Sequence, residues 1–139
     1  MRELEARCAQ EQAGRAEALS LSEIAAMGKS RLGDCRQEEA WGVLLDRQNR
    51  MIAFQKIRRG TIDKVSLEPI EIVELMLRFH ASSIVLMHNH PGGSAEASAE
   101  DREITARISS ALSALGLHMH DHLIIAGQKC RCIVQGILL

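Results

Sequence analysis

The chain is poor in aromatic side chains: it has no tyrosine, one tryptophan (Trp41) and two phenylalanines (Phe54 and Phe79) in 139 residues. A platform for stacking nucleic-acid bases has almost no material here. Charge of one sign is also missing, since 17 Lys and Arg face 18 Asp and Glu for a net charge of -1. That balance excludes a surface acting as a general trap for phosphate backbones. The short basic patch Lys56-Ile57-Arg58-Arg59 reads as a solvated strand end. No apolar run approaches the roughly 20 residues that would span a bilayer, so no membrane association is expected. Cys8, Cys35, Cys130 and Cys132 have no disulfide-framework spacing, and the charged start Met1–Arg7 lacks the apolar stretch of a secretory signal. The expectation is a reduced, cytoplasmic protein.

What is present is 46% hydrophobic and 25% charged residues, the balance of one soluble globular domain. A chain of this size buries roughly two-thirds of its unfolded surface and needs no disulfide staple. Residues 1–19 read as an N-terminal helical arm and 20–139 as the domain. Ser20 or Ser22 caps a helix start ahead of Ile24-Ala25-Ala26-Met27. The apolar runs Ala40–Leu45 and Met51–Ile57, separated by Asp46–Arg50, fit two strands with a tight connection. Pro69 suits a first helical turn, and Ile70, Val73, Met76, Leu77 and His80 keep helical spacing to about Ala81, giving one buried stripe. Ile84-Val85-Leu86-Met87 is apolar on both alternating faces, as in a central strand covered on each side. A second helix starts at Ser98, with Glu100 and Asp101 in its first turn, Ile104, Ile108, Ala111, Leu112 and Leu115 inward, and Gly116 as stop. Strands over Leu117–Ala126 and Arg131–Gln135 close the chain around Gly127-Gln128-Lys129. This order predicts an α/β fold with a central sheet flanked by helices.

His88 and His90 stand two apart at the end of the buried strand, so their side chains project to one side while Asn89 points away. Pro91-Gly92-Gly93-Ser94 turns the chain back, and Asp101 in the next helix's first turn then faces the imidazoles. Two neutral nitrogens and one carboxylate, with a fourth position for water, is the composition of a catalytic zinc site. The crevice beyond a strand's carboxyl end is where α/β proteins bind ligands. His118, His120 and His122 alternate along one strand and present a competing row on one face. Cys130-Arg131-Cys132 lacks ligand partners and the spacing of a zinc deaminase, and reads as ordinary strand.

His88-Asn89-His90-Pro91 followed by Ser98-Ala99-Glu100-Asp101 resembles the His-x-His-x10-Asp signature of the JAMM (JAB/MPN) metalloproteases, and most closely their bacterial RadC branch. Gly60-Thr61, Pro69-Ile70-Glu71-Ile72 and Asp121-His122-Leu123-Ile124-Ile125 carry the same likeness in order and spacing. The resemblance covers residues 20–139 and implies a mixed central sheet in a three-layer sandwich like that of the cytidine deaminases. It implies Zn2+ at His88, His90 and Asp101, and a glutamate general base at the first strand's start. Counting back from the Leu45-Asp46 turn in the RadC pattern selects Glu38, with Glu39 in reserve. It further implies that Ser98, besides capping its helix, hydrogen-bonds the oxyanion, and that the substrate is a peptide or isopeptide. His122 falls in the family's Asp-His pair, whereas His118 and His120 do not and read as surface or interface residues. Gly92, Ala95 and Ala97 stand where the pattern usually has Ser, Pro and Pro, which implies a looser loop. Residues 1–35 show no Gly-rich hairpin of the helix-hairpin-helix segment that longer RadC proteins carry. The rival function is a DNA-associated repair adaptor without hydrolysis, which the charge balance disfavours. A homo-oligomer is a further expectation, supported by the amphipathic arm.

Overall fold

The computed structural model describes residues 17–59 and 67–139. Most of the N-terminal arm, Cys8, Gly60-Thr61 and the side chains of Arg58 and Arg59 lie outside them. Helix α1 (Leu21–Leu32) begins at Ser20, whose hydroxyl accepts the Glu23 N–H while Glu23 accepts the Ser20 N–H, satisfying two donors that a helix start otherwise leaves open. Strands β1 (Glu39–Leu45) and β2 (Met51–Arg59) form an antiparallel hairpin. Its turn is organised by Asp46, whose carboxylate accepts the N–H groups of Gln48 and Arg50 and the Arg50 guanidinium. Helix α2 (Pro69–Arg78), strand β3 (Ser83–Asn89), helix α3 (Ala99–Ala114) and strands β4 (His118–Ala126) and β5 (Lys129–Cys132) follow.

The sheet order is β2-β1-β3-β4-β5, with β3 and β4 parallel and the other pairs antiparallel. The sheet is therefore mixed, with helices on both faces, as expected of a JAB/MPN-like sandwich. Every residue of β3 is buried, and its alternation divides the core in two. Ile84 and Leu86 pack with Ile72, Met76, Ile108 and Leu112 of α2 and α3. Val85 and Met87 pack with Ile24 and Leu32 of α1. Each such fully buried side chain contributes about 2 kcal/mol, so β3 anchors both layers.

Four expectations are corrected. The buried stripe of α2 is Ile72, Leu75 and Met76, while Ile70 and Leu77 are each 60% exposed. The helix is apolar on more than one face, so helical period alone did not determine which face met the sheet. It also ends at Arg78, where His80 takes a φ of 53° and the Ala81 N–H turns back to the Met76 carbonyl. Leu115 lies beyond α3 and is 58% exposed. The last strand stops at Cys132, because the buried Asp121 carboxylate accepts the N–H groups of Val134 (2.9 Å) and Gln135 (3.2 Å) and draws the chain into a turn.

Candidate metal centre

The site lies at the carboxyl end of β3 against the start of α3. His88 falls on the α3 face of the sheet by the alternation that puts Ile84 and Leu86 there, and His90 follows just beyond the strand. The His90 ring is held by a hydrogen bond from Nδ1 to the Ser94 carbonyl at 3.1 Å. Between them the chain turns, with Gly92 in the left-handed region (φ 67°) and the Gly93 N–H donating to the His90 carbonyl. Ser98 caps α3 by accepting the Asp101 N–H at 3.0 Å, and Asp101 Oδ2 accepts the Ser98 N–H at 2.9 Å. This reciprocal cap orients the carboxylate toward the imidazoles.

His88 Nε2 lies 3.3 Å from Asp101 Oδ1, His90 Nε2 lies 3.3 Å from Asp101 Oδ2, and the two Nε2 atoms are 3.0 Å apart. One ligand atom from each residue falls within 4.8 Å of the others. Zinc ligands at about 2.0–2.1 Å in tetrahedral array stand about 3.3 Å from one another; each imidazole meets one Asp101 oxygen at that distance, so the donor set fits the ion in chemistry and needs only a small adjustment for a single carboxylate oxygen to serve. Burial raises the Asp101 carboxyl, but the facing His88 and His90 imidazoles outweigh it and hold the group far below the carboxylate range. The hydrogen bond to Asp101 raises His90 above the ordinary imidazole value, against the opposing effect of burial. Asp101 is thus anionic at neutral pH, as a ligand must be.

A cleft of about 300 Å³ opens onto these residues and is also lined by Glu38, Ser98 and Glu103. Glu38 Oε2 is buried and has no hydrogen-bond partner among the described residues. Such an atom is costly unless a ligand engages it. The neighbouring Glu39 faces elsewhere: Oε1 accepts the Trp41 indole N–H at 3.0 Å and Oε2 pairs with Lys56 at 3.5 Å. The Trp41 hydrogen bond is the main influence holding its carboxyl below the ordinary value.

The three histidines of β4 do not form a row. A bulge opposite Ile84 and Val85 skips His120, so Met119 and His122 both face the α2 and α3 layer although they are three residues apart. His118 and His120 pack edge to face at 4.7 Å at the opposite end of the strand, with His120 bonded to Asn49. His122 instead is buried at the site, 2.8 Å from His88 Nδ1. Burial, reinforced by the neighbouring His88, pushes its pKa well below the usual value. Thr105, 2.6 Å from His122 Nδ1, joins the site although no motif marks it in the sequence. Its signal was a hydroxyl one turn after Asp101 within the inward stripe that continues at Ile108 and Leu112. Cys130 and Cys132 are buried free thiols outside the cluster.

The family model for the RadC-like JAB domain matches residues 19–135. A UPF0758 protein from Bordetella petrii is 37% identical over 126 residues, covering 90% of this chain and 56% of that relative. Another from Shewanella baltica is 38% identical over 128 residues, covering 91% and 57%, and one from Ruegeria pomeroyi is 47% identical over 91 residues, covering 65% and 41%. The chain therefore spans about half the length of these curated relatives, whose names state no activity.

Proposed function

The chain belongs to the RadC-like JAB domain family, and on that premise we propose that it is a zinc-dependent hydrolase of peptide or isopeptide bonds. The observation that carries the proposal is the convergence of His88, His90 and Asp101 on one cleft with the unpartnered Glu38 Oε2. His88, His90 and Asp101 would hold the ion, and a divalent ion there supplies Lewis acidity and water activation.

The protein's own groups have separate tasks. Glu38 accepts the proton of the attacking water on its open oxygen and delivers it to the leaving nitrogen, one carboxyl serving as base and then acid. Ser98 uses a lone pair to accept the Asp101 N–H, which leaves its hydroxyl proton to donate to the oxygen on which negative charge develops. The protein is expected to be cytoplasmic; no helix among the described residues is long and apolar enough to cross a membrane.

The test is metal content and peptide-library cleavage with purified protein. One zinc per chain is expected, lost in His88→Ala and Asp101→Ala, while Glu38→Gln keeps the metal and loses cleavage. Wild type without metal, or cleavage undiminished by Glu38→Gln, overturns the reading.

A further inference from the structure

Behind the ligands runs a chain of hydrogen bonds whose direction can be worked out atom by atom. It begins at the Asp101 main-chain carbonyl, which can only accept. The Thr105 hydroxyl lies 2.6 Å from that oxygen and donates its single proton to it. Having no second proton, Thr105 Oγ1 must accept from its other neighbour, His122 Nδ1, also at 2.6 Å. His122 therefore carries a proton on Nδ1. The ring is 1% exposed and has no carboxylate hydrogen-bonded to it among the described residues, so an imidazolium there would be a charge buried without compensation. Neutral His122 presents a lone pair at Nε2, and His88 Nδ1, 2.8 Å away, must donate to it. With its proton on Nδ1, His88 directs the Nε2 lone pair toward Asp101 and His90.

We infer that Thr105 and His122 are positioning residues that fix His88 in its Nδ1-protonated tautomer, so that Nε2 is available to a cation before any cation arrives. The inference rests on the metal-centre reading above and adds how one ligand is made ready. The relay starts from the backbone of Asp101 and ends on His88, so the main chain of one ligand sets the proton position of another. His90 needs no such relay, because the Ser94 carbonyl accepts from its Nδ1 directly. His88, facing the packed interior between sheet and helix, has no carbonyl hydrogen-bonded to Nδ1 among the described residues and depends on borrowed direction. Removing the Thr105 hydroxyl while keeping its shape takes away the acceptor for His122 Nδ1–H. His122 can then move its proton to Nε2, donate to His88 Nδ1, and drive the His88 proton onto the nitrogen that faces the cleft.

The experiment uses the full chain. Zinc affinity is measured by competition with a chromophoric chelator for wild type, Thr105→Val and Thr105→Ser, and histidine tautomers are assigned by 15N–1H correlation NMR on the metal-free proteins. Thr105→Val is expected to bind zinc about 10- to 100-fold more weakly, the range for loss of a partner behind a metal ligand. Thr105→Ser, which restores the hydroxyl, should lie within threefold of wild type. In metal-free wild type His88 should show its proton on Nδ1, and in Thr105→Val on Nε2. A loss under fivefold in Thr105→Val, or an equal loss in Thr105→Ser, overturns the inference, as does an Nε2-protonated His88 in wild type. The wild-type spectrum decides the matter even if Thr105→Val does not fold. A wild type that binds no zinc defeats the hydrolase reading, while the spectrum still tests the relay.

Discussion

Asn89 accepts the backbone N–H of Glu39 at 2.7 Å on its side-chain carbonyl, and its amide nitrogen donates to the carbonyls of Gln37 (2.9 Å) and Cys35 (3.4 Å). The residue between the two cleft histidines thus grips the segment that delivers Glu38. Strand alternation makes this possible, since His88 and His90 face α3 while Asn89 faces the α1 side. Asn89→Ala should leave zinc affinity unchanged, lower turnover about tenfold by loosening Glu38, and destabilise the fold by about 1–3 kcal/mol through the lost bonds. Parallel chelator competition, peptide cleavage and urea unfolding check the three. Unchanged turnover would show that the grip does not control Glu38.

Ser98 is given two tasks, and two substitutions separate them. Ser98→Ala should cost about 1 kcal/mol as a lost helix cap, whereas Ser98→Gly should cost only a few tenths. Both remove the proposed oxyanion donor and should lower kcat about 10²- to 10³-fold. Thermal unfolding beside steady-state kinetics reads both effects. A Ser98→Gly variant with full turnover would reduce Ser98 to a cap.

At Gly33, where α1 ends against the turn between β4 and β5, there is no room for a side chain. A Cβ there would lie 2.5 Å from the Lys29 carbonyl oxygen and 2.7 Å from that of Gly127, both main-chain atoms. Gly33→Ala should therefore destabilise by about 1–3 kcal/mol as overpacking, even though alanine is otherwise the better residue beside a helix. A urea midpoint equal to wild type would mean that α1 shifts freely on the sheet.

Burial pushes the Cys130 thiol from 9.0 up to about 11 and Cys132 up to about 12. A raised folded-state value means that the unfolded chain ionises first as pH rises. The associated stability is full below the ordinary thiol value of 9.0 and is lost as pH climbs through 11 and 12. Urea midpoints at pH 8 and pH 10.5 should fall more steeply for wild type than for the Cys130→Ala, Cys132→Ala double variant. Equal slopes would show that the thiols do not contribute.

The geometry of the cleft was legible where it depends on local periods. A strand's two-residue repeat places His88 and His90 together, and a capped first helical turn places Asp101 and Ser98, so short-range backbone geometry brings these groups to one end of β3. The same period says that only one of Glu38 and Glu39 faces the cleft, but not which. Register against β3, with the hold of Asn89 on Glu39, made that choice.

The amino-acid sequence by itself determined the elements, their order and the convergence of His88, His90 and Asp101, because each follows from contacts a few residues apart. Only the tertiary structure decided the buried face of α2, the turn that Asp121 imposes after β5, and the bulge that carries His122 to Thr105 and His88. Those depend on which surfaces meet and on where backbone donors find partners across the sheet, and neither is written in the spacing of neighbouring residues.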